Sequence, residues 1–146
     1  MSVIRRFTTA VFIVHEGRVL MLFHKGLQRW LPPGGKLLEH ELPQDCALRE
    51  VKEETGLDIV LIKDGSLPEI PAPTERLVQP FHMQLEKCPD GSENVDFIFH
   101  ARLEDPLQNT VEICAASECF QWMNLLDLEA KSVEAEVLAN ARWILH

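Results

Sequence analysis

A chain of 146 residues, 46% hydrophobic and 25% charged, can bury the core of one domain, residues 1–146, and is too short for two of ordinary size. Its net charge of -9, with six histidines counted neutral, and the lack of any basic run argue against long nucleic acid as a partner, since such binding neutralises phosphates. No apolar run reaches membrane-spanning length, and no small-residue cleavage site follows the short apolar run near the N-terminus, so the expectation is a cytoplasmic protein without membrane contact.

Taken in chain order, Phe7 to Val14 is apolar and rich in β-branched residues, Glu16-Gly17 signals a turn, and Arg18 to Phe23 is apolar again; the pattern predicts a β-hairpin. Trp30 and Leu31 lead into Pro32-Pro33-Gly34-Gly35, which forces an irregular, closely approaching backbone. Pro43 suits a first helical turn, where its missing N–H is not needed, and Gly56 suits the position just past a helix end. Together they predict a helix from Pro43 to Thr55. Leu57 to Ile62 alternates as a half-buried strand would. Asp64 to Thr74 carries three prolines and a glycine and reads as a surface loop. Val78 to Lys87 and Val95 to Leu103 read as strands, the second supported by the alternation of Val95, Phe97, Phe99 and Ala101. A short strand follows near Cys119 to Met123. Ser132 then offers an N-cap for a C-terminal helix that sets Val133, Val137, Ala141 and Ile144 on one face. Cys46, Cys88, Cys114 and Cys119 form no CxxC pair and read as reduced structural thiols. There is no internal repeat. Strands on both sides of one central helix, with a closing helix, indicate an α/β sandwich.

The helix over Pro43–Thr55 carries the chemistry. Glu50, Glu53 and Glu54 stand at i, i+3 and i+4, which gathers them on one face. Ala47, Leu48, Val51 and Thr55 span the neighbouring arc, so one face is core and the next is site. A run of acids on a helix is ordinarily a solvated face. Here, however, like charges at i and i+4 repel by roughly a few tenths of a kcal/mol, and Glu53 and Glu54 lie in the last turn, where the helix dipole disfavours anions. A cation belongs among them. A hard divalent ion with oxygen ligands fits, and Mg²⁺ is the usual choice where a substrate phosphate shares the shell, with Mn²⁺ able to substitute.

Around these glutamates the chain reads Gly35, five residues, Glu41, seven residues, then Arg49-Glu50-Val51-Lys52-Glu53-Glu54-Thr55-Gly56-Leu57. Chance would produce that pattern in a chain of this length with a probability on the order of 10⁻⁷ at background residue frequencies. It matches the full signature of the Nudix hydrolases, and the chain resembles that family, MutT-type members included, from Gly35 to Leu57. One departure is His40-Glu41, where many relatives carry Gly-Glu.

The resemblance implies a Nudix fold, an α/β/α sandwich with a mixed sheet and the box as a loop-helix-loop. It also implies Mg²⁺-dependent substitution at phosphorus of a diphosphate linked to another moiety. The implied metal shell is Glu50, Glu53 and Glu54 with the Gly35 carbonyl, Glu41 supporting the loop that presents it. Arg49, beside Glu53, could orient a carboxylate or be a solvated surface residue. The general base is Glu50 or Glu53 from the box, with Glu112 and Glu118 as alternatives from a later segment. Lys25, Arg29 and Lys36 are local cations that can offset phosphate charge, and Lys36 is a substrate-binding candidate. Trp30, Phe81 and His82 could stack on or edge a base, though core or sheet packing is the more ordinary use of each.

The small-molecule partner is then a nucleotide, by default a nucleoside di- or triphosphate, oxidised ones included. Two alternatives stay open: an ADP-ribose-type pyrophosphatase, favoured weakly by Pro71 fifteen residues after Gly56, and a Nudix-like module that binds nucleotides without catalysis. A homodimer is compatible with the sequence.

Overall fold

The computed structural model describes residues 2–63, 65–111 and 119–146. Its elements are β1 (Arg5–His15), β2 (Arg18–His24), β3 (Arg29–Leu31), β4 (Gly34–Lys36), α1 (Pro43–Thr55), β5 (Ile59–Leu61), β6 (His82–Lys87), β7 (Glu93–Leu103), β8 (Phe120–Met123), α2 (Leu125–Ala130) and α3 (Ala135–Ile144). The sheet is organised around β1. One edge of β1 pairs in parallel with β7, from Arg5 opposite Glu93 to Val14 opposite Arg102. The other edge pairs antiparallel with β4 and with β2. The main strand order is β3-β2-β1-β7-β5, with β6 added to β7 and β8 to β2. All pairings except β1–β7 are antiparallel, so the sheet is mixed.

Strand alternation sends side chains to two different cores. Val11, Ile13, Phe99 and Ala101 meet Ala47 and Val51 of α1 on one face. Phe12, Val19, Met21 and Ile98 meet Leu128 of α2 and Val137 and Ala141 of α3 on the other. Helices therefore cover both faces, which is the α/β/α sandwich with a mixed sheet that the sequence implies. Phe12 and Phe99 are almost fully buried, and truncating either to alanine in such a core costs about 3–5 kcal/mol.

Several local expectations change. α1 has the predicted bounds, Pro43 in its first turn and Gly56 at φ 78°, where the Gly56 N–H caps the Lys52 carbonyl. Its buried arc is Cys46, Ala47, Val51 and Thr55, however, and Leu48 is 41% exposed. The buried stripe is rotated by part of a turn, because Cys46 packs under the glycine loop. That loop is itself a strand, β4, in which Gly34 and Gly35 lie opposite Ala10 and Thr9. A Cβ at Gly34 would overlap the Thr9 carbonyl, so only glycine allows the pairing.

β6 begins at His82 rather than Val78, since Pro80 has no N–H for the ladder and regular pairing opens with the Phe81 N–H on the Ile98 carbonyl at 2.9 Å. α2 is an element the apolar pattern did not mark. It is started by a capping box in which the Asn124 side chain accepts from the Asp127 N–H, and Asp127 accepts from the Asn124 N–H. Ser132 does not cap α3; it sits in the turn after α2 at φ 52°, and Glu134 holds the N-cap position.

His40 lies at φ 66°, a left-handed conformation that costs a non-glycine residue roughly 1–2 kcal/mol. This is the position where the family signature commonly has glycine, and the His40 side chain is 90% exposed, so it offsets little. His40→Gly is therefore expected to stabilise the fold by up to about 1 kcal/mol after glycine's larger chain entropy is counted, read as a higher urea midpoint at unchanged m-value. A lower midpoint would mean that the imidazole, 3.5 Å from the Glu39 carboxylate, contributes more than its exposure allows.

Candidate active site

α1 carries its acidic side chains toward β4, and one cation organises them. The Arg49 guanidinium donates to both oxygens of Glu41, at 2.7 and 2.9 Å. It also donates to Glu50 at 2.6 Å, to Glu53 at 3.2 Å, and to the Lys36 carbonyl at 3.2 Å. Its side chain is only 23% exposed. Arg49 is thus the centre of the box and not a solvated surface residue. Glu41 in turn accepts from the Leu38 N–H at 3.0 Å, which ties down the loop between β4 and α1. The bidentate Arg49 contact, helped by that N–H, holds the Glu41 carboxyl down at about 2, although burial opposes it.

Glu54 turns inward. It accepts from the Gly34 N–H at 3.1 Å and hydrogen-bonds to Glu50. Burial pushes its carboxyl up to about 8; the Gly34 N–H opposes this, while the hydrogen bond to Glu50 and the charges of Glu50 and Glu53 add to it. Glu50 packs directly on Gly35, where any Cβ would collide with its carboxylate. Gly35 is thereby required for the approach of Glu50 to β4. The Gly35 carbonyl oxygen lies 3.5 Å from Thr9 Oγ1 and 3.8 Å from Cys46 Sγ. Burial raises the Cys46 thiol above its ordinary range, which suits a neutral packing group behind the loop.

The three helix glutamates do not meet at one point. Glu50 and Glu54 share a hydrogen bond next to Gly34 and Gly35, whereas Glu53 is 61% exposed and held outward by Arg49. Among the described residues, no three His, Cys, Asp or Glu side chains stand close enough to hold a metal ion as they are. The donor chemistry nonetheless fits one. Burial holds the Glu54 carboxyl protonated beside Glu50 well above the usual carboxylate range, and a hard divalent cation can replace that proton while satisfying the same oxygens.

The candidates for the organic part of a substrate fare differently. Trp30 packs against Phe23, ring centroids 5.4 Å apart, with Lys131 Nζ 5.5 Å over its ring. Phe81 stands edge-on to Phe12 at 6.5 Å. Lys36 is exposed on β4, and Arg29 pairs with Glu134 at 3.0 Å. A cavity of about 160 Å³ lies instead between the sheet and α3, and Gly34 and Pro32 form its edge nearest the box. Leu31, one residue after Trp30, is in its wall; Trp30, Phe81, His82, Lys36 and the Pro68–Pro73 loop are not.

The polar residues that do reach the cavity, Thr8, Asp96, Glu86 and Glu136 among them, were not singled out in the sequence. A signal existed. The alternation of Val95, Phe97 and Phe99 places Asp96 on the opposite face, one residue from Phe97, where it reads as solvated unless α3 is known to cover it. Glu112 and Glu118 lie outside the described residues.

The NUDIX domain family model matches residues 4–143, and the chain belongs to that family. A Nudix-family hydrolase from Clostridium perfringens is 27% identical over 97% of this chain and 96% of that one, with a TM-score of 0.80. The Escherichia coli dihydroneopterin triphosphate pyrophosphohydrolase shares the fold at 18% identity, 99% and 98% coverage and a TM-score of 0.71. The Ap4A hydrolase of C. elegans does so at 18% identity, 97% coverage of both chains and a TM-score of 0.67.

The raised Glu54 carboxyl carries a pH signature. Because its folded pKa exceeds the unfolded value of 4.5, the native state binds the extra proton between about 4.5 and about 8; the associated stability is present below that window and lost as pH rises through it. Metal-free protein is therefore expected to melt at progressively lower temperature from pH 5 to pH 8, with a flatter profile for Glu54→Gln. Thermal denaturation in a chelating buffer reads this directly, and parallel profiles for the two proteins would contradict the assignment.

Proposed function

We propose that this Nudix hydrolase cleaves the diphosphate linkage of a small nucleoside diphosphate derivative, most simply a nucleoside di- or triphosphate, with Mg²⁺ as the divalent ion. The supporting observation is the Glu50–Glu54 pair: two carboxyl groups held together against Gly34 and Gly35, with Gly34 also lining a cavity sized for a ring. Glu50, Glu54 and the Gly35 carbonyl would hold the ion, with Glu53 within the same helical turn. When bound, the ion supplies charge neutralisation at the phosphate oxygens and acidification of a coordinated water.

The chain's own groups do the rest. Arg49 keeps Glu50 and Glu53 oriented, and Glu41 keeps Arg49 and the loop in register. Glu53, the most exposed of the three helix carboxylates, is the group that can take the proton from the attacking water. The water oxygen forms the new bond to phosphorus as the bridging P–O bond breaks, and the leaving phosphate departs with the bridging oxygen. The ADP-ribose alternative gains nothing from Pro71, which is exposed and outside the cavity wall. Retention of every box carboxylate weighs against a binding module that has lost catalysis.

Replacing Glu53 or Glu54 by Gln preserves shape and helix propensity while removing one charge, so both variants are expected to fold and to turn over about a hundredfold or more slowly with Mg²⁺. The assay is release of phosphate and pyrophosphate across a nucleotide panel with Mg²⁺ and Mn²⁺. Near-wild-type rates in both variants would remove the box from the mechanism.

A further inference from the structure

The cavity between the sheet and α3 has walls of two kinds. Phe12, Leu31 and Ile98 make it apolar, and Asp96, Glu86 and Glu136 bring carboxyl groups to it from β7, β6 and α3. No lysine or arginine is among its described lining residues. A volume of about 160 Å³ suits a planar ring, since a cavity of about 150 Å³ holds benzene.

The hydrogen bonds around it are directed one way. Thr8 Oγ1 donates to Asp96 at 2.9 Å, Asn94 Nδ2 to Glu86 at 2.7 Å, and Gln84 Nε2 to Glu136 at 3.0 Å. The neighbouring donors are thus already turned onto the carboxyl groups. Each carboxylate has about four acceptor positions, so what remains toward the cavity is mainly accepting capacity. Burial pushes Asp96 up to about 6, against the Thr8 hydrogen bond, and the charges of Glu86 and Glu136 add to the rise. A group in that state is stabilised by incoming N–H donors and repels an anion.

We propose that this cavity receives the heterocycle of the substrate and selects a 2-amino-4-oxopyrimidine edge, the adjacent N–H donors that guanine and pterins share, with Asp96 accepting from both the ring N–H and the exocyclic amine. The proposal rests on the nucleotide-hydrolase reading above and names the substrate class of that site. Its acidic walls keep the polyphosphate out of the cavity, and Gly34, which lines the cavity and donates to Glu54, directs it to the box. Adenine would set its ring acceptor against a carboxylate, and hypoxanthine would lack the amine.

The test has a binding arm without metal and a turnover arm with Mg²⁺. In chelator, titration calorimetry of GMP, IMP and AMP is expected to show GMP bound about tenfold or more tightly than IMP, in keeping with the loss of a hydrogen-bonded group from a partly buried site. Asp96→Asn, which retains shape and can still accept from Thr8, is expected to bring GMP and IMP within about threefold of one another. Should that variant fail to fold, Glu136→Gln and the wild-type GMP-to-IMP ratio carry the same decision. GMP no tighter than IMP, or a preference that survives Asp96→Asn, overturns the proposal.

In turnover, kcat/KM for GTP and for a pterin triphosphate, each above ITP and ATP, supports it, and the larger of the two identifies the source. Comparable turnover of all four overturns the edge selection and leaves the hydrolase reading intact. A GMP preference without hydrolysis of any diphosphate does the reverse.

Discussion

The site depends on the Arg49 guanidinium. Among the described residues it is the one cation paired with Glu41, Glu50 and Glu53, and it contacts all three. Without it, Glu50 and Glu53 would repel one another toward the end of α1, where the helix dipole already opposes anions, and Glu41 would lose its bidentate partner. Its planar fork is needed as well as its charge: both Glu41 oxygens are engaged while another nitrogen reaches Glu50 and Glu53. A lysine there would be a point charge unable to span that set. Because Glu41 holds the Leu38 N–H and Arg49 holds the Lys36 carbonyl, the same ion-pair network ties β4 to α1.

From that constraint follow the positions of the two glycines and of the inner glutamates. β4 can approach β1 only with glycine at position 34, and Glu50 can approach β4 only with glycine at position 35. Glu54 is then buried beside Glu50, with the Gly34 N–H as its backbone partner. The fold has placed two carboxyl groups side by side, and burial keeps that of Glu54 protonated well above the usual carboxylate range. The sheet connects this pair to the α3 face. Gly34 contacts the box on one side and borders the α3-facing cavity on the other, while Thr8 and Asp96 stand opposite each other across the parallel β1–β7 register.

The box was legible in the sequence because it is local. The bounds of α1, its αL cap at Gly56 and the spacing of Glu50, Glu53 and Glu54 all depend on residues within one helix length of each other. What the spacing could not tell is which rotamer each carboxylate adopts; Arg49 draws Glu53 outward and leaves Glu50 with Glu54. The hairpin before the box was visible from its apolar runs and the strand after it from alternation, but β3 was hidden by its three-residue length, β4 by its glycines, which carry no β-propensity, and α2 by its shortness. The cavity was least legible. Its walls come from β1, β3, β4, β6, β7 and α3, so Asp96 acquires its meaning only when α3 closes over the sheet. Trp30 and Phe81 drew attention as aromatics, yet both serve the packing.

A divalent cation entering the box is expected to displace the proton that burial holds on Glu54 beside Glu50. Titration calorimetry of Mg²⁺ at pH 7, repeated in buffers of different ionisation enthalpy, counts the protons released on binding. Release approaching one proton per bound ion, abolished in Glu54→Gln, is the expected result. Binding with no proton release, or equal release from the variant, would contradict it.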